Sequence, residues 1–169
     1  DAIALQRVAA GDRAALGIVF DRHAAALVRF AMRITNRSDA EDVAQATFER
    51  AATLASSFDA SAASARPWLF AIASRIVLER RRAFARFTAM LARFGSGVTS
   101  SVPPDAGRLD VHGALAKLSP AKRIAFVLAE LEGYSGDEIA QMLDVPIGTV
   151  WTRLHHARIE LRALLAEDS

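Results

Sequence analysis

The chain has 169 residues with 52% hydrophobic and 24% charged content, so buried cores are affordable and wholesale disorder is excluded. Aromatics supply only 7%, and much of the apolar content is alanine, which favours helix but fills little volume. There is no cysteine, which excludes disulfide scaffolds, thiolate metal sites and cysteine nucleophiles. No apolar run reaches the ~20 residues that span a bilayer, and the opening lacks a basic, then apolar, secretion signal. The expected location is the cytoplasm.

The net charge of +2 hides an asymmetry. Up to Phe94 fourteen arginines face nine acids, and from Gly95 seven basic residues face ten acids. Nearly all the basic residues are arginine, the better fork for phosphates and base edges, although a GC-rich genome gives the same excess.

Helical periodicity dominates, and no stretch alternates with period two. Asp12 is placed to cap a long helix with apolar positions at Leu16, Val19, Phe20, Leu27, Phe30 and Ile34. Ser38 and Glu41 read as a capping box, opening a helix whose spacing buries Val43, Ala46, Phe48 and Leu54. A small-residue loop follows from Phe58 to Arg66. Pro67 suits a first helical position, and Trp68 to Phe94 reads as one long helix.

Gly95 to Pro104 combines Gly/Ser with Pro-Pro, which is linker chemistry. The expected division is residues 1–94, a linker over 95–109, and a second unit over 110–169. In the second unit a short helix spans Asp110 to Leu118, and another runs from Ser119-Pro120 to Leu131. Ser135 and Glu138 form a second capping box. The helix it opens ends near Leu143, the tight turn Asp144-Val145-Pro146 follows, and a last helix runs from about Ile147 to Leu165.

The last two helices and their turn make a helix-turn-helix. Ile139, Ala140 and Leu143 form the inner face of the first, and Val150, Leu154, Ala157 and Leu161 the apolar stripe of the second. The other side of the second helix carries Thr149, Thr152, Arg153, His156 and Arg158, groups that can reach bases and phosphates in a major groove. A plain helical hairpin with a solvated polar face has the same spacing.

Several strings carry a family resemblance. ALAKLSPAKR at 114–123, EGYSGDEIA at 132–140, VPIGTV at 145–150 and RLHHAR at 153–158 closely resemble region 4 of extracytoplasmic-function (ECF) sigma factors. SDAEDVAQATF at 38–48 and WLFAIA at 68–73 resemble region 2 of the same family. The resemblance implies an all-α protein of two small helical domains joined by a flexible linker. It implies no catalytic residue and no cofactor, because the polymerase does the chemistry.

By that resemblance Asp39, Glu41, Asp42 and Gln45 sit where the family docks on the β′ clamp helices of core RNA polymerase, with the β flap as a further contact. The loop from Phe58, with Asp59 and Ser61, aligns with the segment that captures a flipped −10 base. Arg66, Arg75, Arg80, Arg81 and Arg82 are expected to track the −10 backbone. Positions that often face DNA in the family read Ala71, Ser74 and Arg75 here, and Trp68 reads as a core anchor. In the second unit Thr149, Trp151, Thr152, Arg153, His155, His156 and Arg158 are the expected readers of a −35 element. His155 and His156 point about 100° apart on a helix, and no cysteine or carboxylate completes a metal site. The family further implies promoter DNA and an anti-sigma factor as partners.

Two other classes of function stay open. A sigma mimic that titrates an anti-sigma factor would fit the missing basic residues at positions 71, 74, 151 and 156. An ordinary dimeric helix-turn-helix repressor would explain the second unit but not the first ninety residues.

Overall fold

In the computed structural model, residues 1–93 and 111–166 are described, and all regular structure among them is helical. Eight α-helices follow in order: α1 Ala2–Ala9, α2 Leu16–Ile34, α3 Ala40–Leu54, α4 Arg66–Arg93, α5 Val111–Lys117, α6 Pro120–Phe126, α7 Gly136–Leu143 and α8 Ile147–Ala166. The linker expected over 95–109 lies outside the described residues.

The first four helices make one bundle. Val19, Leu27, Phe30 and Ile34 of α2 are buried as their spacing requires, and Phe30 stacks on Phe70 of α4 at 4.2 Å between ring centroids. Phe20 departs from expectation: it is 50% exposed and covers the rim of the core against Phe48 instead of entering it. On α3, Val43 and Phe48 are buried, Ala46 is half-buried, and Leu54 is exposed on the wall of an open cleft beside Trp68. Thr47, buried among them, donates its hydroxyl to the Val43 carbonyl at 2.7 Å, which removes the cost of burying it.

Two caps differ from the sequence expectation. Asp12 makes no side-chain cap; it pairs with Arg7 at 2.6 Å and precedes a 3-10 turn, Arg13–Ala15, that leads into α2. The Ser38 capping box does not form. Asn36 Oδ1 accepts from both the Ser38 hydroxyl and the Asp39 amide, so the serine is spent in the turn and Asp39 takes the N-cap without a side-chain bond. The α1 helix has no counterpart in the sequence reading; it sets Leu5 and Val8 into the core.

The second half follows its pattern more closely. Ser135 accepts from the Glu138 amide while the Glu138 carboxylate accepts from the Ser135 amide, a complete capping box on α7. Asp144 ends α7 at φ 53°, a left-handed conformation that a short polar side chain tolerates. Val150, Leu154, Ala157 and Leu161 are all buried. The helix expected from Ser119 to Leu131 widens into a π turn over Val127–Leu131, then Glu132 and Tyr134 donate backbone N–H groups to Val127 and Leu128.

The turn after the π segment adds side-chain contacts between the halves to the packing of α6 and α7 against α4. Glu132, whose side chain is 4% exposed, accepts from Arg33 of α2 at 2.6 Å and from Arg66 of α4 at 2.5 Å. Tyr134 meets Phe70 edge-on at 6.4 Å, and the Arg66 guanidinium lies 5.2 Å from the centre of the same ring. Arg123 of α6 donates to the Thr35 carbonyl at the end of α2 and to the Ala116 carbonyl in the last turn of α5. Burial, with the neighbouring Arg81 charge adding to it, holds Arg123 below its ordinary value.

Candidate nucleic-acid and polymerase interfaces

The outward face of α3 is the simplest of the candidate surfaces. Asp39, Glu41, Asp42 and Gln45 are all exposed, opposite the buried Val43, Ala44 and Thr47. Asp39 also accepts from Asn36 Nδ2 at 2.8 Å, and Gln45 donates to Glu49 at 3.0 Å. Glu41 and Asp42 lie in the first turn of α3, where the helix dipole favours negative charge. They form an acidic patch unmatched by any ion pair among the described residues.

The loop before α4 is more ordered than its small residues suggest. Asp59 accepts from both the amide and the hydroxyl of Ser61, at 2.9 and 2.7 Å, which makes an Asx turn. Those bonds hold the Asp59 carboxyl below its ordinary value. Phe58 packs edge-on against Trp68 at 5.2 Å, and both rings are half-buried. Trp68 therefore anchors the loop, and beside it opens a cleft of about 330 Å³ lined by Leu54, Ala71, Arg75, Gln141 and Met142. The far wall of this cleft belongs to α7, so the second half sits over the exposed face at the start of α4.

Along α4 the basic residues separate. Arg75 and Arg82 are seven residues apart and share one exposed face, whereas Arg80 and Arg81 turn to other sides. Arg66 is committed to Glu132. Ser74 is fully buried with its hydroxyl unpartnered, so this position does not face outward as the family alignment suggested.

On α8 the expected readers fall into three groups. His155 and His156 are exposed and point away from the apolar stripe, whereas Arg153 flanks the stripe, is half-buried and makes no ion pair with any described residue. Burial first, and then the nearby charge of Arg82, holds Arg153 below its ordinary value. Thr149 is half-buried, and Thr152 is exposed but donates its hydroxyl to the Gly148 carbonyl at 2.8 Å, inside its own helix. Arg158 is engaged elsewhere, donating to Glu130 at 2.6 Å.

Trp151 has an intramolecular explanation that the sequence did not offer. It is 51% exposed, and the rest of its ring covers Gly136 at the first turn of α7, where a Cβ would lie 2.7 Å from Cζ2. The glycine leaves the room that the indole fills, and the pair fixes the angle between the two helices. The rings of His155 and His156 are 5.7 Å apart and tilted, and the described residues contain no cluster able to hold a metal. Sequence reasoning also missed Arg33 and Glu132, whose partners lie 99 and 66 residues away along the chain.

Two family models match the chain, one in each half. Residues 19–87 match the family model for sigma-70 region 2, and residues 108–161 match that for sigma-70 region 4. The chain is 36% identical over 166 residues to the ECF RNA polymerase sigma factor SigL of Mycobacterium tuberculosis, covering 94% of this chain and 93% of the relative. It is 28% identical to SigW of Bacillus subtilis, covering 96% of this chain and 95% of that one. Among solved structures it is similar to CnrH in complex with the cytosolic domain of CnrY, with a TM-score of 0.68 and 31% identity over 100% of this chain and 99% of that one. It is also similar to RpoE of Bartonella quintana in complex with the anti-sigma factor NepR, with a TM-score of 0.66 and 29% identity over 91% and 96% of the two chains.

Proposed function

The chain belongs to the ECF group of the sigma-70 family and acts in transcription initiation, and from this premise we propose which of its surfaces do the work. The α3 face of Asp39, Glu41, Asp42 and Gln45 docks on the β′ clamp helices of core polymerase. Phe58, Asp59 and Ser61, with Arg75, Arg80, Arg81 and Arg82, meet the −10 element. The outward side of α8, chiefly Arg153, His155 and His156, reads the −35 element from the major groove. No described helix is long and apolar enough to cross a membrane.

One observation carries the reading: the two halves match two sigma regions in order, and each presents a polar face that its own core does not use. The solved complexes of CnrH with CnrY and of RpoE with NepR support an anti-sigma factor as a partner here. Opening an element of duplex and holding a flipped base costs a few kcal/mol, so the −10 surface has to be free when the polymerase engages DNA. In the structure α7 lies over part of it.

The test is run-off transcription with purified core polymerase and a promoter library. Transcripts that start at a shared −35/−10 pair are the expected result. Binding to an anti-sigma factor without any transcript would make the chain a sigma mimic instead.

A further inference from the structure

From Glu79 to Arg93 no residue of α4 is buried, so about four turns of the helix run on past the bundle that its first turns complete. The apolar pattern does not stop where the bundle does. At about 100° per residue, Phe84, Phe87 and Leu91 fall in line with the buried Leu69, Ala73 and Val77 of the same helix. Phe84 is 46% exposed, Phe87 53%, and Met90, at the edge of the stripe, 48%. Large apolar side chains left open on successive turns mark a surface that is covered in use.

The charge on the same turns is of one sign. Residues 80–93 hold five arginines and no acid. Arg80 and Arg81 bound the apolar stripe at its start, while Arg82, Arg86 and Arg93 share the far side of the helix. None of the five makes an ion pair with a described residue. Glu79, just before them, is engaged by Arg50 of α3 at 2.8 Å.

Charge and apolar surface together select the occupant. A second copy of the chain would set five more arginines against these with nothing to neutralise them. A nucleic-acid backbone matches the arginines but offers the phenylalanines no apolar surface. A protein groove would need both an apolar floor and carboxylates placed for arginines on several sides. An anionic bilayer supplies apolar depth and negative charge at once, without a shaped groove.

We propose that residues 80–93 of α4 form an anchor that lies on an anionic lipid bilayer, with Phe84, Phe87, Met90 and Leu91 in the acyl boundary and the arginines among the headgroups. The segment is about 21 Å long, so it lies in the plane of the interface and does not span. No described helix is long and apolar enough to cross a membrane. Arg80 and Arg81 reach the headgroups by laying their methylene stems along apolar surface. Because the apolar side sinks into the headgroup boundary, Arg82, Arg86 and Arg93 stay within about one Debye length of the charged surface. The anchor itself does not rest on the sigma-factor reading. Its consequence does, because Arg80, Arg81 and Arg82 cannot meet headgroups and the −10 element at once.

The experiment mixes the full chain with sedimenting vesicles, either phosphatidylcholine alone or phosphatidylcholine and phosphatidylglycerol in equal parts, over a range of salt. The parent is compared with Phe84→Ser/Phe87→Ser and with Arg86→Gln/Arg93→Gln. All four positions are exposed, and circular dichroism checks that helix content is kept. The parent should bind the anionic vesicles and leave the neutral ones, with binding that falls as salt rises. Each double variant should bind about tenfold more weakly. Equal binding by the parent and the phenylalanine variant would show attraction by charge alone and overturn the anchor. Equal binding to neutral and anionic vesicles would overturn the headgroup assignment. A parent that binds neither vesicle overturns the anchor outright. Self-association lost in the phenylalanine variant would then give the face to a second copy, and a chain that stays monomeric would leave it to a protein with an acidic groove. Run-off transcription with the same parent tests the sigma reading separately, and its failure would leave the vesicle result standing.

Discussion

Arg66, at the head of α4, donates to the Glu132 carboxylate at 2.5 Å, and the same carboxylate holds Arg33 at 2.6 Å. The pair joins a residue expected on promoter DNA to the turn that precedes the helix-turn-helix. It costs a buried carboxylate, which is tolerable only while both guanidiniums stay in place.

Glu132→Gln should therefore loosen the two halves without unfolding either. The arginines are a third to a half exposed, so the loss is discounted for solvent to about 1–2 kcal/mol. The chain has no cysteine, and thiols introduced at Glu49 and Arg162 would take distance labels cleanly. A larger population of separated halves is expected, and an identical distance distribution in parent and variant would show that other contacts hold the arrangement.

How much of this was legible in the sequence depends on the range of the interaction. The Ser135 capping box and the stripe from Val150 to Leu161 are local, and periodicity and spacing were enough for both. The Ser38 box failed because a nearer competitor, Asn36, captured the serine hydroxyl, and a four-residue motif does not include it. Glu132 looked like an ordinary acid because its partners are distant in sequence. Trp151 looked like a surface reader because nothing in a helical wheel shows that the residue opposite it is a glycine. The arginine run at 80–82 looked like one patch, but successive residues turn by about 100°, and only Arg82 joins the face of Arg75.

Gly136→Ala tests the contact with Trp151. The added methyl would lie 2.7 Å from the indole, so the ring has to move. A cost of about 1–2 kcal/mol is expected from this overpacking, together with a shift in tryptophan fluorescence. Trp151→Ala combined with Gly136→Ala should recover most of the stability lost by the glycine change. If the two changes simply add, the ring and the glycine are not coupled.

The α7 cap predicts a pH dependence. Hydrogen bonds from the Ser135 amide and hydroxyl hold the Glu138 carboxyl below its ordinary value of 4.5. A depressed carboxylate stabilises the fold above the unfolded value and loses that contribution as pH falls through the folded one. The melting temperature should therefore drop below about pH 4.5, and Glu138→Ala should lower it at neutral pH while flattening its acid dependence. A Glu138→Ala protein with the parent's acid profile would remove the cap from the account.

On α3, Asp42→Arg with Gln45→Ala should weaken binding to core polymerase while helix content stays unchanged, because both side chains are exposed. Equal retention of parent and variant in a pull-down with core enzyme would remove the clamp-docking assignment.

Arg153→Ala separates DNA reading from structure. The alternative partners for Arg153 were Asp137 and Glu138 on the preceding helix, but the guanidinium makes no ion pair with either, and Glu138 is spent on Ser135. Its removal should therefore leave the melting temperature of the protein nearly unchanged. If it meets a base edge, the loss is about 1–3 kcal/mol of discrimination at one promoter position. If it meets a phosphate, all promoters weaken alike and the salt slope falls by about one unit. In either case run-off transcription declines while affinity for core polymerase is retained. His156→Ala, on the exposed side of the same helix, should act in the same direction. Unchanged transcription together with unchanged melting for both variants would exclude this face of α8 from promoter recognition.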